Sequence, residues 1–195
     1  MAKSFKGKQV YIALLFFLVV VSLSLGLKTF NTDNELTGAI STRTDKITIV
    51  EYGDFLCPFC AMAQDTLNQL KEIYGDDLRI IYKHLPLHDG SFEFAVASEC
   101  ANEQGKFWGY HDYLYANQKT IKIEDVSLYA QELGLNVDKF NQCLNGEDAK
   151  AKVNSDWEDA KELGLNGTPT FFVNGEKILG AQPIETFKKV IESKL

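Results

Sequence analysis

Two cysteines separated by two residues, Cys57-Pro58-Phe59-Cys60, lie where a β-rich run gives way to a helical pattern. The run is Ile47-Thr48-Ile49-Val50-Glu51-Tyr52, and the helical pattern extends from Ala61 to Tyr74. This spacing suits thiol–disulfide exchange. With Cys57 at the helix N-cap and Pro58 at the first helical position, unpaired N–H groups and the positive end of the helix dipole favour a thiolate on Cys57. Two intervening residues let Cys60 reach back and close a disulfide within one turn. The motif therefore offers an attacking sulfur and a resolving sulfur in one frame. A structural zinc site needs four ligands. Cys100 and Cys143 are single, and His84, His88 and His111 have no ligand spacing. Neither a metal nor a cofactor is expected.

Two further features bear on the same chemistry. Gly167-Thr168-Pro169-Thr170 is a tight turn ahead of a strand, and its Thr–Pro bond is a candidate cis peptide, although trans is the ordinary state of an X–Pro bond. Glu51 lies six residues before Cys57, on the strand that feeds the site. By alternation it shares a strand face with Ile47 and Ile49. A carboxyl there is expected to be at least partly buried, with a raised pKa, and able to trade a proton with Cys60.

The elements that must hold these groups can be read from periodicity. Ile47 to Tyr52 reads as a strand. Cys57 to Tyr74 reads as a helix with Leu67, Leu70 and Tyr74 on its buried stripe and Gly75 ending it. Leu78 to Leu85 reads as a second strand. Ser91 to Gly164 is helical throughout. Its stripes are Phe92, Val96 and Cys100; Val126, Tyr129, Ala130 and Leu133; Val137, Phe140 and Leu144; and Val153, Trp157, Ala160 and Gly164. Trp108, Tyr110, Tyr113 and Leu114 read as core, and His111-Asp112 as a structural pair. Thr170 to Val173, the Asn174-Gly175 turn and Lys177 to Leu179 read as a hairpin. Ile184, Phe187, Ile191 and Leu195 stripe a last helix. Strands at both ends of this part imply one sheet interrupted by a helical insertion.

The 195 residues, 45% of them hydrophobic, are enough for one globular domain. The N-terminus differs in kind. Lys3, Lys6 and Lys8 precede an uncharged run, Val10 to Leu27, that as a helix spans about 27 Å, near the hydrocarbon thickness of a bilayer. Residues 1–27 are expected to be a signal-anchor or transmembrane segment with the rest extracytoplasmic, in the periplasm or at the cell surface. The alternative is a cleaved signal peptide and a secreted protein. Residues 28–46 read as a polar tether. The formal net charge is −7, and the N-terminal lysines make the remainder more acidic still. That composition argues against nucleic acid and anionic membrane surface as partners. The four cysteines allow three pairings. The Cys57/Cys60 pair closes locally, which leaves Cys100 with Cys143 for a structural disulfide in an oxidising compartment. The alternative is two separate buried thiols. Cys57 and Cys60 are expected to be the more accessible pair.

Over about residues 47–195 the sequence resembles the DsbA-like thiol:disulfide oxidoreductases of the thioredoxin superfamily, of the membrane-tethered or exported bacterial type. The matching segments run from Ile49 to Cys60, from Gln104 to Leu114 and from Gly167 to Gly175. The resemblance implies an α/β thioredoxin fold with an all-helical subdomain inserted at about residues 90–164. It implies Cys57 as nucleophile, Cys60 as resolving cysteine, Pro169 as a cis-proline facing them, and Glu51 as the buried acid. Thr168, Pro58 and Phe59 are then candidate substrate contacts. Reduced exported proteins would be the substrates, a membrane thiol oxidase (DsbB-like or VKOR-like) the re-oxidant, and the protein a monomer. One departure stands out. The best-known oxidases of this type carry His where Phe59 stands, and Phe cannot help hold a thiolate. A dithiol oxidase is the leading expectation. A reductase or isomerase, or a metal-binding module on the same fold, is the alternative.

Overall fold

The computed structural model describes residues 47–193. The expected anchor (residues 1–27), the expected tether (28–46) and the last two residues lie outside this range. Among the described residues no helix is long and apolar enough to cross a membrane.

The first strand, β1 (Ile47–Gly53), is built from β-branched residues that suit a pleated, buried surface. It pairs in parallel with β2 (Leu78–His84) on one side and antiparallel with β3 (Thr170–Val173) on the other. The hairpin partner β4 (Glu176–Leu179) completes a sheet of order β2-β1-β3-β4. Asn174 and Gly175, both with positive φ (45° and 87°), make the tight hairpin turn that the Asn-Gly pair predicts. Helix α1 (Pro58–Tyr74) connects β1 to β2, and Gly75 ends it at φ 49°, donating its N–H to the Lys71 carbonyl.

All the helices between β2 and β3 belong to one block: α2 (Ser91–Asn102), α3 (Phe107–Ala116), α4 (Val126–Glu132), α5 (Val137–Asn145) and α6 (Asp148–Glu162). Helix α7 (Ile184–Glu192) follows the hairpin. One sheet face carries Ile47, Ile49, Phe171, Val173 and Ile178. It packs beneath Ala63, Leu67 and Leu70 of α1 and Phe187 and Ile191 of α7. The other face buries Tyr52 against Ala160 and Leu165. A third cluster fills the helical block and runs without a break into Phe55, Cys57, Cys60 and Tyr82. Each fully buried Leu or Phe here contributes about 1.5–3 kcal/mol. The Cys100–Cys143 disulfide is formed, with Cα atoms 5.6 Å apart, and ties α2 to α5.

The stripe on α6 differs from the sequence reading. Ala149, Val153, Asp156 and Ala160 face inward, while Trp157 is 47% exposed and Gly164 is also exposed. An acid replaces the tryptophan inside because it is fully partnered. Asp156 accepts the His84 backbone N–H at 3.2 Å, binds Lys152, and lies 3.6 Å from the Lys83 ammonium. A buried carboxylate with that many donors is tolerated.

Candidate active site

Cys57 occupies the N-cap of α1 in extended conformation and Pro58 is the first helical residue, as the spacing predicts. The Cys57 carbonyl accepts the N–H groups of Cys60 (3.1 Å) and Ala61 (3.3 Å). Both thiols are free, and Cys60 is fully buried. Across the chain, the cis Thr168–Pro169 peptide places the Thr168 carbonyl 3.3 Å from the Cys57 sulfur, which donates to it when protonated. Pro58 and Phe59 are exposed beside this junction, and Thr168 is half-buried.

The electrostatics separate the two sulfurs. The Cys57 thiol falls from 9.0 to about 5. The largest cause is the hydrogen bond from the Cys60 side chain. Burial opposes it, and the Thr168 side chain and the N–H groups of Cys60 and Phe59 reinforce it. Burial drives Cys60 far upward, helped by its bond to Cys57 and by the nearby Glu51. One sulfur is thus a ready thiolate and the other keeps its proton.

Glu51 is completely buried, and burial pushes its pKa up to about 8 despite a hydrogen bond from Gln64. Gln64 sits one turn beyond Cys60 on α1. Its amide donates to Glu51 Oε1 at 3.3 Å and to the Cys60 carbonyl at 3.2 Å. The other carboxyl oxygen, Oε2, is buried without a partner. An acid near 8 is protonated at neutral pH and can hand its proton to a departing Cys60 thiolate.

Several residues that shape the site carry no local signal in the sequence. Asp54 is buried and accepts from the N–H groups of Leu56, Leu87 and His88, from His88 Nδ1 and from the Ser91 hydroxyl. Burial works against its ionisation, but these donors bring it below the usual carboxylate range. It locks the cysteine loop to the loop after β2. Gln118 donates to the carbonyls of both Phe55 and Cys57 at 2.9 Å. Tyr82 pairs with Tyr115, hydroxyl to hydroxyl, at 2.7 Å. A Cβ at Gly53 would lie 2.5 Å from the Tyr82 hydroxyl, so only glycine fits beneath it. The Asx and Gln roles depend on partners tens of residues away, and no spacing rule finds them.

The accessibility expectation is overturned. Cys57 is only 4% exposed, whereas Cys143 of the disulfide is half-buried. The Thr168 carbonyl approaches Cys57, while Cys143 packs against the edge of the helical core and is only partly covered. Selective reactivity at Cys57 must therefore come from its thiolate and not from its exposure.

A thioredoxin family model matches residues 39–193. The chain belongs to the thioredoxin family. Its fold is that of the DsbA-like members. A thioredoxin-like oxidoreductase from Silicibacter pomeroyi superposes with a TM-score of 0.67 at 26% identity, over 75% of this chain and 85% of that one. BdbD from Bacillus subtilis, in its oxidised form, superposes with a TM-score of 0.70 at 23% identity, over 77% and 88%. Among curated proteins, a Na(+)/H(+) antiporter NhaA 1 from Mycobacterium sp. (strain KMS) is 37% identical over 152 residues, 75% of this chain and 25% of the antiporter. A NhaA antiporter from Herminiimonas arsenicoxydans is 38% identical over 148 residues, 76% and 24%. The chain spans about a quarter of the length of the curated relatives it matches.

Proposed function

We propose that this chain is a thiol–disulfide oxidoreductase that introduces disulfides into exported proteins through the Cys57/Cys60 pair. The observation that carries the reading is the division of labour between the two sulfurs: an acidic N-cap thiol at Cys57 and a buried, proton-retaining Cys60 against the neutral carboxyl of Glu51. In the oxidised enzyme a substrate thiolate attacks Cys57. The Cys57–Cys60 bond breaks, and Cys60 takes a proton from Glu51. A second substrate thiolate then attacks its own sulfur in the mixed disulfide and expels Cys57 as a stable thiolate. Re-oxidation reverses the order. Cys57 attacks the disulfide of a membrane thiol oxidase, and Cys60 loses its proton to the Glu51 carboxylate and closes the ring. Thr168 and the exposed Pro58 and Phe59 border the approach to Cys57 and are the proposed substrate contacts. A thiolate near 5 favours the oxidase direction over the reductase, because it stabilises the reduced enzyme. The catalytic part would lie outside the cytoplasm, anchored by residues 1–27.

The test is single substitution. Cys60→Ser should accumulate mixed disulfides with reduced substrate proteins, since no resolving thiol remains, and Cys57→Ser should accumulate none. Equal trapping by both would overturn the roles.

A further inference from the structure

Phe59, inside the cysteine motif, brings no charge to Cys57. His88, in the loop after β2, does. The link between them is Asp54, whose backbone touches both cysteines. Its carbonyl accepts the Cys57 N–H at 3.1 Å, and its N–H donates to the Cys60 sulfur. Residues 54–57 therefore form a turn with the nucleophile at its last position, and such a turn keeps its end Cα atoms within about 7 Å. The Asp54 carboxyl is fully buried and holds His88 twice, accepting its backbone N–H at 3.0 Å and its Nδ1 at 2.7 Å. The imidazole is thus tied to the cysteine turn itself.

Leu56, Leu87 and Ser91 also donate to this carboxyl. Burial works against its ionisation, but so many donors keep Asp54 a carboxylate. Nδ1 of His88 therefore carries its hydrogen in both protonation states of the ring, and the proton that comes and goes is the one on Nε2. The side chain is 47% exposed, so water exchanges that proton. The charged and titratable groups that act on the ring are Asp54 and Cys57 from the cysteine loop and Asp89 from its own. The Asp54 hydrogen bond does most to raise His88 above its ordinary value. Burial opposes it, and the Asp54 charge and then the Cys57 thiolate add to it. Asp54 alone is a charge of the wrong sign beside a thiolate; the imidazolium offsets it.

We propose that His88 is a positioning residue of the redox pair, its Nε2 proton coupled to the electrons of Cys57/Cys60: the reduced protein holds an imidazolium against the Cys57 thiolate, and the oxidised protein holds that proton less tightly. This rests on the exchange chemistry proposed above. When Cys60 closes on Cys57, two electrons pass to the re-oxidant's disulfide, whose two sulfurs leave as thiolates. The Cys60 proton rests on Glu51, and the negative charge at Cys57 is gone. Nε2 then gives part of its proton to water. By reciprocity, whatever the thiolate adds to the proton affinity of His88, the imidazolium adds to the stability of the thiolate. Because His88 titrates higher in the reduced protein, its support for the reduced form is complete below the oxidised-state value. That support is lost as pH rises through the reduced-state value. Acidification within this window makes the protein a stronger oxidant.

The experiment is an NMR titration of the assigned His88 ring in the full chain, reduced and oxidised at Cys57/Cys60, with the Cys100–Cys143 bond intact in both. His88 should titrate roughly half a unit higher in the reduced protein, about threefold in proton affinity. The difference should shrink at high salt, because charges at a half-exposed site are screened. In Cys57→Ser, which has no thiolate, His88 should titrate as in the oxidised native protein. His88→Asn keeps a side-chain N–H for Asp54 but has no titrating nitrogen, and its Cys57 thiolate absorbance should appear roughly half a unit higher in pH. Equal His88 values in the two redox states of the native chain would overturn the coupling. So would a difference that salt leaves untouched, since shape and not charge would then be its source. A reduced-state value retained in Cys57→Ser would overturn it too. Failure of the Cys57/Cys60 pair to pass between dithiol and disulfide would instead overturn the exchange reading itself.

Discussion

Replacing Cys60 isolates the origin of the Cys57 acidity. The Cys60 side chain is the largest influence holding Cys57 at about 5. A hydrogen bond to a charged group contributes about 1.5–3 kcal/mol, and at ~1.36 kcal/mol per pKa unit that is about 1–2 units. Cys60→Ala should therefore raise Cys57 to between about 6 and 7. Cys60→Ser, whose hydroxyl still donates, should stay within about one unit of the native protein. The native value bears on the redox balance. At pH 7 a thiol at about 5 instead of 9.0 favours the reduced form by roughly two powers of ten. That is ~2.7 kcal/mol, or ~60 mV toward oxidising. Because the folded value is depressed, this stabilisation of the reduced protein is absent below pH 5, grows between 5 and 9, and is complete above 9. Thiolate absorbance and alkylation rate, followed against pH with the Cys100–Cys143 bond intact, measure it. Equal values in Cys60→Ala and Cys60→Ser, or a native value near 9, would refute the reasoning.

Two other outcomes are expected. Glu51, raised from 4.5 to about 8, destabilises the fold increasingly as pH climbs through that range, because the unfolded carboxyl ionises first. Glu51→Gln should remove this slope and stabilise the protein by about 3 kcal/mol at pH 7, seen as a flatter denaturation midpoint between pH 4.5 and 8. The Cys100–Cys143 bond closes a loop with a sequence separation of 43. Replacing both cysteines with serine should cost up to ~4 kcal/mol in urea unfolding. It should leave the Cys57 titration unmoved; a shifted titration would mean that the disulfide acts on the site.

What the sequence discloses is mostly local. Pro58 after Cys57 identifies the helix start, and alternation through Ile47 and Ile49 turns Glu51 inward. Asn174-Gly175 states its own turn. What it conceals is carried by pairs far apart in the chain. Asp156 is buried because Lys83, Lys152 and the His84 N–H meet it, and a hydropathy stripe prefers Trp157. Asp54 reads as a loop acid but anchors a second loop through His88 and Ser91. Tyr82 reads as a strand aromatic and becomes half of a buried hydroxyl pair only when α3 delivers Tyr115. Periodicity reports how apolar a face is; it does not report which polar groups satisfy one another inside it.

The antiparallel pairing of β1 with β3 also governs when the chemistry comes into being. Cys57 meets Thr168 across 111 residues, and Glu51 is enclosed only when Phe171 arrives beside it. Closing a loop of that length costs about 4 kcal/mol of chain entropy, which only the finished sheet and its two packed faces can offset. A chain that has made β1, α1 and β2 but not yet β3 holds both thiols in a wet, open site. Its Glu51 ionises as any exposed carboxyl does, and its Cys57 lacks the Thr168 side chain. Such an intermediate keeps the Cys60 hydrogen bond and the helix N–H groups that hold Cys57 low, but it lacks the protonated acid beside Cys60. In the proposed cycle the acid that serves Cys60 is therefore tuned only when β3 arrives, so the two halves of the exchange machinery come into being at different stages of folding.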